Sequence, residues 1–458
     1  MKTVSALFAA LAIGLAGCAP APDELGLKPR VNSAVVEGAL PPMKRFSAAV
    51  PPMRTVSNVD LTRNFLDLTF WLESGSPVRR FTRFEGPIGV QLTGNASPSL
   101  LADLDELLAR LRREAGIDIV RGRPGPRQIT VNVVPRATVR QAMPSAACFV
   151  IPGVSTLPEF IRARRDNRID WTDLDRRDTM AVFLPGDVSP QEIRDCLHEE
   201  IAQALGPLND LYRLPYSIFN DDNVHTVLTA HDMLILRATY DSALANGMSR
   251  AEVEARLPAI FARINPGGAR VAPRPADATP RAWIDAVNVA LGPGATFQRR
   301  QREALRALDI AQVRGWRDLR LGFSHFILGR LYSETDPLIA LQHFAAADRV
   351  FAADPDTALH RAYITAHVAA ALLAVGDAQQ ALAKLTPAIE QATRHQNATL
   401  LATLLLLRAE ALDQTGRTAE ARAVRLDSLG WARYGFDSVA EVLDRAREVA
   451  SLRPDAEN

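Results

Sequence analysis

The chain has 458 residues, 47% of them apolar, enough for two or three packed domains. Its formal net charge is +1, which argues against a general electrostatic role on nucleic acid. Lysine occurs only at Lys2, Lys28, Lys44 and Lys384, so nearly all positive charge is arginine; with alanine so common, that skew reflects genome composition rather than function.

MKTVSALFAALAIGLAGCAP opens the chain: one lysine, an apolar run from Val4 to Leu15, then Ala16-Gly17-Cys18. This is the layout of a secretory signal peptide, residues 1–17. The run is too short for a permanent membrane helix. Leu15-Ala16-Gly17-Cys18 resembles the bacterial lipobox, which implies lipidation of Cys18 and a membrane contact through the lipid anchor. Ala19 after the cysteine implies sorting to the periplasmic face of the outer membrane. Several acyl chains would hold firmly, at roughly 0.8 kcal/mol per buried CH₂. An ordinary signal peptide with an incidental cysteine is the plainer alternative. Two other cysteines, Cys148 and Cys196, then sit in an oxidising compartment and are expected to form a disulfide; two buried free thiols are the alternative.

Residues 18–58, rich in Pro and Ala (APAPDELGLKPR, ALPPM, AVPPMR), read as a lipidated tether. An α+β domain is expected over 59–264. Its strand candidates are 88–92 (IGVQL), 129–134 (ITVNVV), 148–151 and 180–184 (MAVFL). Between the first two, 97–116 carries Leu100, Leu101, Leu104, Leu107, Leu108 and Leu111 at helical spacing, with Gly116 at the end. Ser189-Pro190-Gln191-Glu192 opens a further helix with a cap, a first-turn proline and a capping-box glutamate; Ile193, Leu197, Ile201, Ala204 and Leu205 form its inward stripe, and Gly206-Pro207 stops it. More helices are expected from Thr229 and over 248–264.

A linker follows at 265–280, then an all-helical stretch over 281–450 and a tail, 451–458. The helical stretch repeats. Ala340, Ala381 and Ala421 align at spacings of 41 and 40 residues, and Gly376 and Gly416 each precede their alanine by five. Leu328-Gly329, Tyr332, Phe344 and Ala347 fill the same frame in the first unit. This resembles tetratricopeptide repeats, with a period longer than their usual length of about 34 residues, which implies longer helices and a short solenoid. An unrelated helical bundle is the alternative.

The stretch CLHEEIAQALGPLND, 196–210, carries the strongest functional signal. In H-E-x-x-H-x-x-G-x-x-H zinc proteases, two histidines one turn apart and a third beyond a glycine hold the metal, and the glutamate activates zinc-bound water. With His198 as first ligand, the second position falls on Ala202 and the glycine on Leu205, so that register fails. Shifted by one, Glu199, Gln203 and Asn209 take the ligand positions, Glu200 takes the base position and Gly206 matches the glycine. This frame resembles a metzincin whose imidazoles are replaced. Ser217-Ile218-Phe219-Asn220 stands where metzincins place the Met-turn, with Phe219 at the methionine, and the helix after Thr229 matches their last helix; the likeness covers roughly 60–245. The lipobox, HEEIAQALGPLND and SIFNDD together also resemble an uncharacterised family of proteobacterial lipoproteins, a domain of unknown function.

Carboxamides are weak zinc donors, so the expectation is no cofactor and a pseudo-metalloprotease rather than an enzyme. The helical repeats would then recognise or scaffold a protein or peptide partner. The alternative is an active metal-dependent peptidase or hydrolase with Glu200 as base and one divalent metal held by Glu199 with His198 or another remote residue, His225, His231 and Asp221-Asp222 being further candidate ligands. No nucleophile elbow, phosphate loop or C-x-x-C pair appears.

Overall fold

The structure, a computed structural model, describes residues 40–46, 54–144, 146–275 and 277–452; the signal segment, Cys18 and residues 453–458 lie outside the described residues. Two compact units result, one within Val50–Ala278, the other formed from Thr279 onward together with residues 40–46.

The first unit is α+β. Its elements are α1 (Asn58–Thr69), β1 (Ile88–Thr93), α2 (Pro98–Arg110), β2 (Ile119–Arg121), β3 (Gln128–Val134), α3 (Arg136–Ala142), β4 (Phe149–Pro152), α4 (Leu157–Arg165), β5 (Thr179–Pro185), α5 (Pro190–Leu205), α6 (Ala230–Thr239) and α7 (Arg250–Ile264). One sheet runs β2-β1-β3-β5-β4. Its first four strands are parallel, and β4 pairs antiparallel with β5. ITVNVV and MAVFL are near-continuously buried because helices cover a parallel sheet on both faces. All four expected strands are present; β2, three residues long, is too short to show a period in the sequence. The helix expected over 97–116 ends as α2 at Arg110 and continues as one π turn, Leu111–Ala115, before Gly116.

The stretch read as a linker does not hang free at its start. Asn265 Nδ2 donates to the Val56 carbonyl at 2.8 Å, and Arg274 N–H donates to Asp60 at 3.0 Å. The stretch read as a tether is likewise docked over residues 40–46, which lie against the C-terminal unit.

The second unit is all helix: α8 (Arg281–Leu291), α9 (Phe297–Val313), α10 (Leu319–Tyr332), α11 (Pro337–Ala352), α12 (Ala358–Ala374), α13 (Ala378–Arg394), α14 (Ala398–Gln414), α15 (Thr418–Gly435) and α16 (Val439–Ala450). Consecutive helices pack as pairs (α8 with α9, α10 with α11, α12 with α13, α14 with α15), and each pair packs on the next. The sequence repeat maps onto this array. Ala340, Ala381 and Ala421 are buried near the start of α11, α13 and α15. Gly376 and Gly416 occupy the intervening turns at φ +83° and +79°, a backbone that favours glycine. Among the described residues no helix is long and apolar enough to cross a membrane.

Cys148, just before β4, is bonded to Cys196 in α5, with the Cα atoms 5.9 Å apart. The bridge closes a loop of sequence separation 48. In the chain-entropy account such a loop contributes about 4 kcal/mol. A Cys148→Ser/Cys196→Ser protein is therefore expected to melt well below the wild type in thermal denaturation, and unchanged melting would show that the cross-link adds nothing to stability.

Candidate functional site

The site is set by the way α5 ends. Ile193, Leu197, Ile201, Ala204 and Leu205 are buried as the stripe predicts, leaving the helix's last carbonyls inside protein. Arg177, only 1% exposed, takes them up. Its guanidinium donates to the carbonyls of Gln203 at 2.5 Å, Ala204 at 2.8 Å and Gly206 at 2.7 Å, while Nε donates to Thr82 Oγ1 at 3.2 Å. A cation at the negative end of the helix dipole is favourable. Burial lowers the Arg177 pKa to about 10, so it remains charged at neutral pH. Gly206 lets the chain leave α5 tight against α6, since a Cβ there would lie 2.8 Å from Thr239 Cγ2. The exit segment then docks on α1. Leu208 N–H donates to the Leu68 carbonyl at 2.7 Å, and Asn209 Nδ2 donates to the Asp67 carbonyl at 3.0 Å.

The histidines named as alternative ligands are engaged elsewhere. His198 Nδ1 accepts the Leu228 N–H at 3.1 Å, which places its proton on Nε2. Burial, then Arg194 and Arg110 nearby, hold its pKa well below the usual imidazole value. His225 Nε2 lies 2.9 Å from the Pro215 carbonyl and donates to it. His231, fully buried, sits between Asp232 Oδ1 at 3.3 Å and Asn64 Nδ2 at 3.4 Å. Asp232 organises the loop before α6, accepting from Ser217 Oγ at 2.5 Å, Ile218 N–H at 3.1 Å and Thr229 N–H at 2.7 Å. Burial alone would raise its pKa, but His231, then the bonds from Ser217 and Thr229, lower it. Phe219 is fully buried in that loop. Asp222 accepts from Val224 N–H at 3.0 Å and Asn220 Nδ2 at 2.8 Å.

What gathers around Glu199 and Glu200 is negative charge. Glu199 feels Glu200, Asp195, Glu73 and Asp221; burial first, then these carboxylates, push its pKa well above the usual range. Glu200, 4% exposed, is pushed up likewise by burial, Glu73 and Asp195, and among the described residues its Oε2 has no hydrogen-bond partner. Asp210 is pushed up by burial and by Glu73, Glu199 and Asp221, and it also hydrogen-bonds Glu73. Burial and Glu192 raise Asp195 to about 7, with Arg194 opposing. Burial raises Asp221 to about 6, although the Tyr212 hydroxyl donates to it at 2.8 Å. Asp195, Glu199 and Asp210 are half-buried and Asp221 is exposed, so the cluster reaches water on one side. Among the described residues no three His, Cys, Asp or Glu side chains are arranged to hold a metal ion.

The motif reading placed Glu199, Glu200 and Asp221 here but missed Glu73, Asp195 and Asp210. Asp195 and Glu199 are four apart in one helix and so share a face. Asp210 ends the quoted motif itself, and Glu73 arrives from the turn after α1, which no local spacing foretells.

Residues 58–259 match a family described as "Protein of unknown function (DUF2927)". No curated protein and no solved structure matches the chain. The stretch from α1 into α7 is thus an uncharacterised domain.

The crowding has a consequence for stability. A carboxyl whose pKa is raised on folding binds its proton more tightly when folded, so its contribution is full below the unfolded value and is lost as pH rises through the folded value. Starting from an unfolded value of about 4, the window runs to about 6 for Asp221 and about 7 for Asp195. Wild-type melting temperature is expected to fall from about pH 5 to about pH 8, and to fall less in Asp195→Asn/Asp221→Asn. Parallel profiles for the two proteins would mean that the charges are compensated.

Proposed function

We propose that the chain is a lipid-anchored periplasmic protein, held at the outer membrane through Cys18, in which a zincin-like domain without zinc catalysis is joined to a tetratricopeptide-like array that recognises a protein or peptide partner. The mostly parallel sheet with an antiparallel edge strand, followed directly by the motif helix, supports the metzincin-like reading. Stacked helix pairs support the repeat reading and offer an extended surface to a partner.

One observation carries the inert reading. Glu199, Gln203 and Asn209 stand at the ligand positions, and Asn209 holds the exit loop to α1 through its amide. Zinc takes imidazole, thiolate and carboxylate; one carboxylate with two amides does not fit it. His198, His225 and His231 are engaged in the hydrogen bonds of the fold. Glu200 then has no zinc-bound water to activate and serves as a buried carboxyl beneath the cleft.

A second reading is favoured by Glu200 Oε2, a buried acceptor without a partner among the described residues, beside a motif glutamate. There the cleft is that of a metal-dependent hydrolase, with Glu200 as base and a divalent ion held by Glu199 and neighbouring carboxylates. Purified mature protein, assayed on peptides and peptidoglycan with and without added zinc, manganese or calcium, is expected to show no turnover, and elemental analysis without chelator no stoichiometric metal. Metal-dependent cleavage that Glu200→Gln abolishes at unchanged melting temperature would overturn the inert reading. Loss of fatty-acid labelling in Cys18→Ser is the expected sign of the anchor.

A further inference from the structure

Residues 40–46, Leu-Pro-Pro-Met-Lys-Arg-Phe, lie along one face of α15 without regular secondary structure of their own. The contacts are specific. Lys44 N–H donates to the Gly430 carbonyl at 3.0 Å. Arg433 Nη1 donates to the Pro41 carbonyl at 2.8 Å. The Lys44 ammonium pairs with Asp427 and lies 5.7 Å from the centre of the Trp431 ring. Phe46 stacks on that same ring, centroids 4.3 Å apart and planes at 27°. Leu40 packs on the apolar cluster of Ala402, Leu429, Ala432, Phe436 and Val442.

The helix is shaped for this guest. Gly430 lies inside α15, where glycine is destabilising. A Cβ there would come within 3.1 Å of Lys44 Cγ and 3.3 Å of the Pro42 carbonyl oxygen. Asp427, Gly430 and Trp431 fall at i, i+3 and i+4 and so share one helix face. An acid to hold a base, a gap to admit backbone and an aromatic platform form a recognition set. Tandem prolines restrict the guest's backbone and lower the entropy lost on docking, the basis of other proline-rich recognition. The hold is loose: the Lys44 and Asp427 side chains remain 47% and 41% exposed, which keeps such a pair weak.

We infer that this face of α15 is a docking site for a peptide of the pattern apolar-Pro-Pro-x-Lys-x-aromatic, with residues 40–46 as its built-in occupant, displaceable by a partner presenting the same pattern. This deepens the recognition reading above by naming a surface and a ligand class, while the docking in cis stands without it. The sequence nearly repeats the pattern in Val50-Pro51-Pro52-Met53-Arg54, but Val56 takes the place of the aromatic residue. That copy is therefore the natural weak control.

The test uses the full mature chain and a fluorescent peptide of residues 39–47. Binding to the wild type is expected to be weak, because the tethered occupant competes at high local concentration. Lys44→Ala/Phe46→Ala, which disables the occupant and leaves α15 intact, is expected to tighten peptide binding by about tenfold or more. Adding Asp427→Lys to that variant should abolish binding, and a peptide with Glu at its lysine position should restore it. A peptide of residues 49–57 should bind several-fold more weakly than that of 39–47. Equal affinity in the wild type and the disabled variant, or binding indifferent to Asp427→Lys, would overturn the inference. A protein that still captured a partner with its α15 face so altered would sink this site and leave the broader recognition reading standing.

Discussion

The fork from Arg177 to the last carbonyls of α5 is the interaction on which the first unit's carboxyl cluster depends. A helix that ends inside protein leaves acceptors that neither water nor a further turn can satisfy. Arg177, two residues before β5, satisfies them and stays charged despite full burial. With α5 stopped there, Gly206 can pass close to α6, Asn209 can reach α1, and Asp210 is delivered opposite Glu199. The Cys148–Cys196 bridge fixes the same helix at its middle, one turn ahead of Glu199 and Glu200. Both ends of the acidic segment are thus held before any ligand is considered.

Much of the fold was legible because it rests on local spacing. Leu100, Leu104, Leu107 and Leu108 mark α2, and ITVNVV marks a doubly covered strand; both signals are periodic within a few residues. The repeat was legible because Gly376 and Gly416 meet a backbone requirement that recurs with the helix pair. What stayed hidden depends on distance along the chain. Arg177 and Glu73 act on α5 from other segments, and nothing around either residue in the sequence marks it. The docking of residues 40–46 was hidden for the same reason: a Pro-rich stretch reads as a tether when its receptor, Trp431, lies 385 residues away on another helix.

The two units use glycine on a helix to different ends. At Gly206 the missing side chain lets one helix end abut another, so the result is rigid packing. At Gly430 it opens a lane for a guest held by one ion pair, one ring stack and backbone hydrogen bonds at Gly430 and Pro41, each individually modest. Removing the guest would expose Trp431 and part of an apolar cluster at the last helix pair. A repeat array needs its terminal face covered, so the resident segment has a structural use even where no partner calls on it.

The histidines and the carboxylates of the first unit sort in opposite directions. His198 accepts a backbone N–H with its pKa held down by burial, and His231 is buried between Asp232 and Asn64, whereas the carboxyls converge on one another and their pKa values rise. Like charges brought together with partial or full burial oppose folding, and such opposition persists only where the surrounding structure over-determines it. Here it does: Asp195, Glu199 and Glu200 are locked to one helix, and that helix is pinned by Arg177 and the disulfide. Burial and mutual repulsion raise the proton affinity of these carboxyls, so the fold keeps Glu199 and Glu200 beside Glu73 and Asp195 at a cost that its own rigidity sustains.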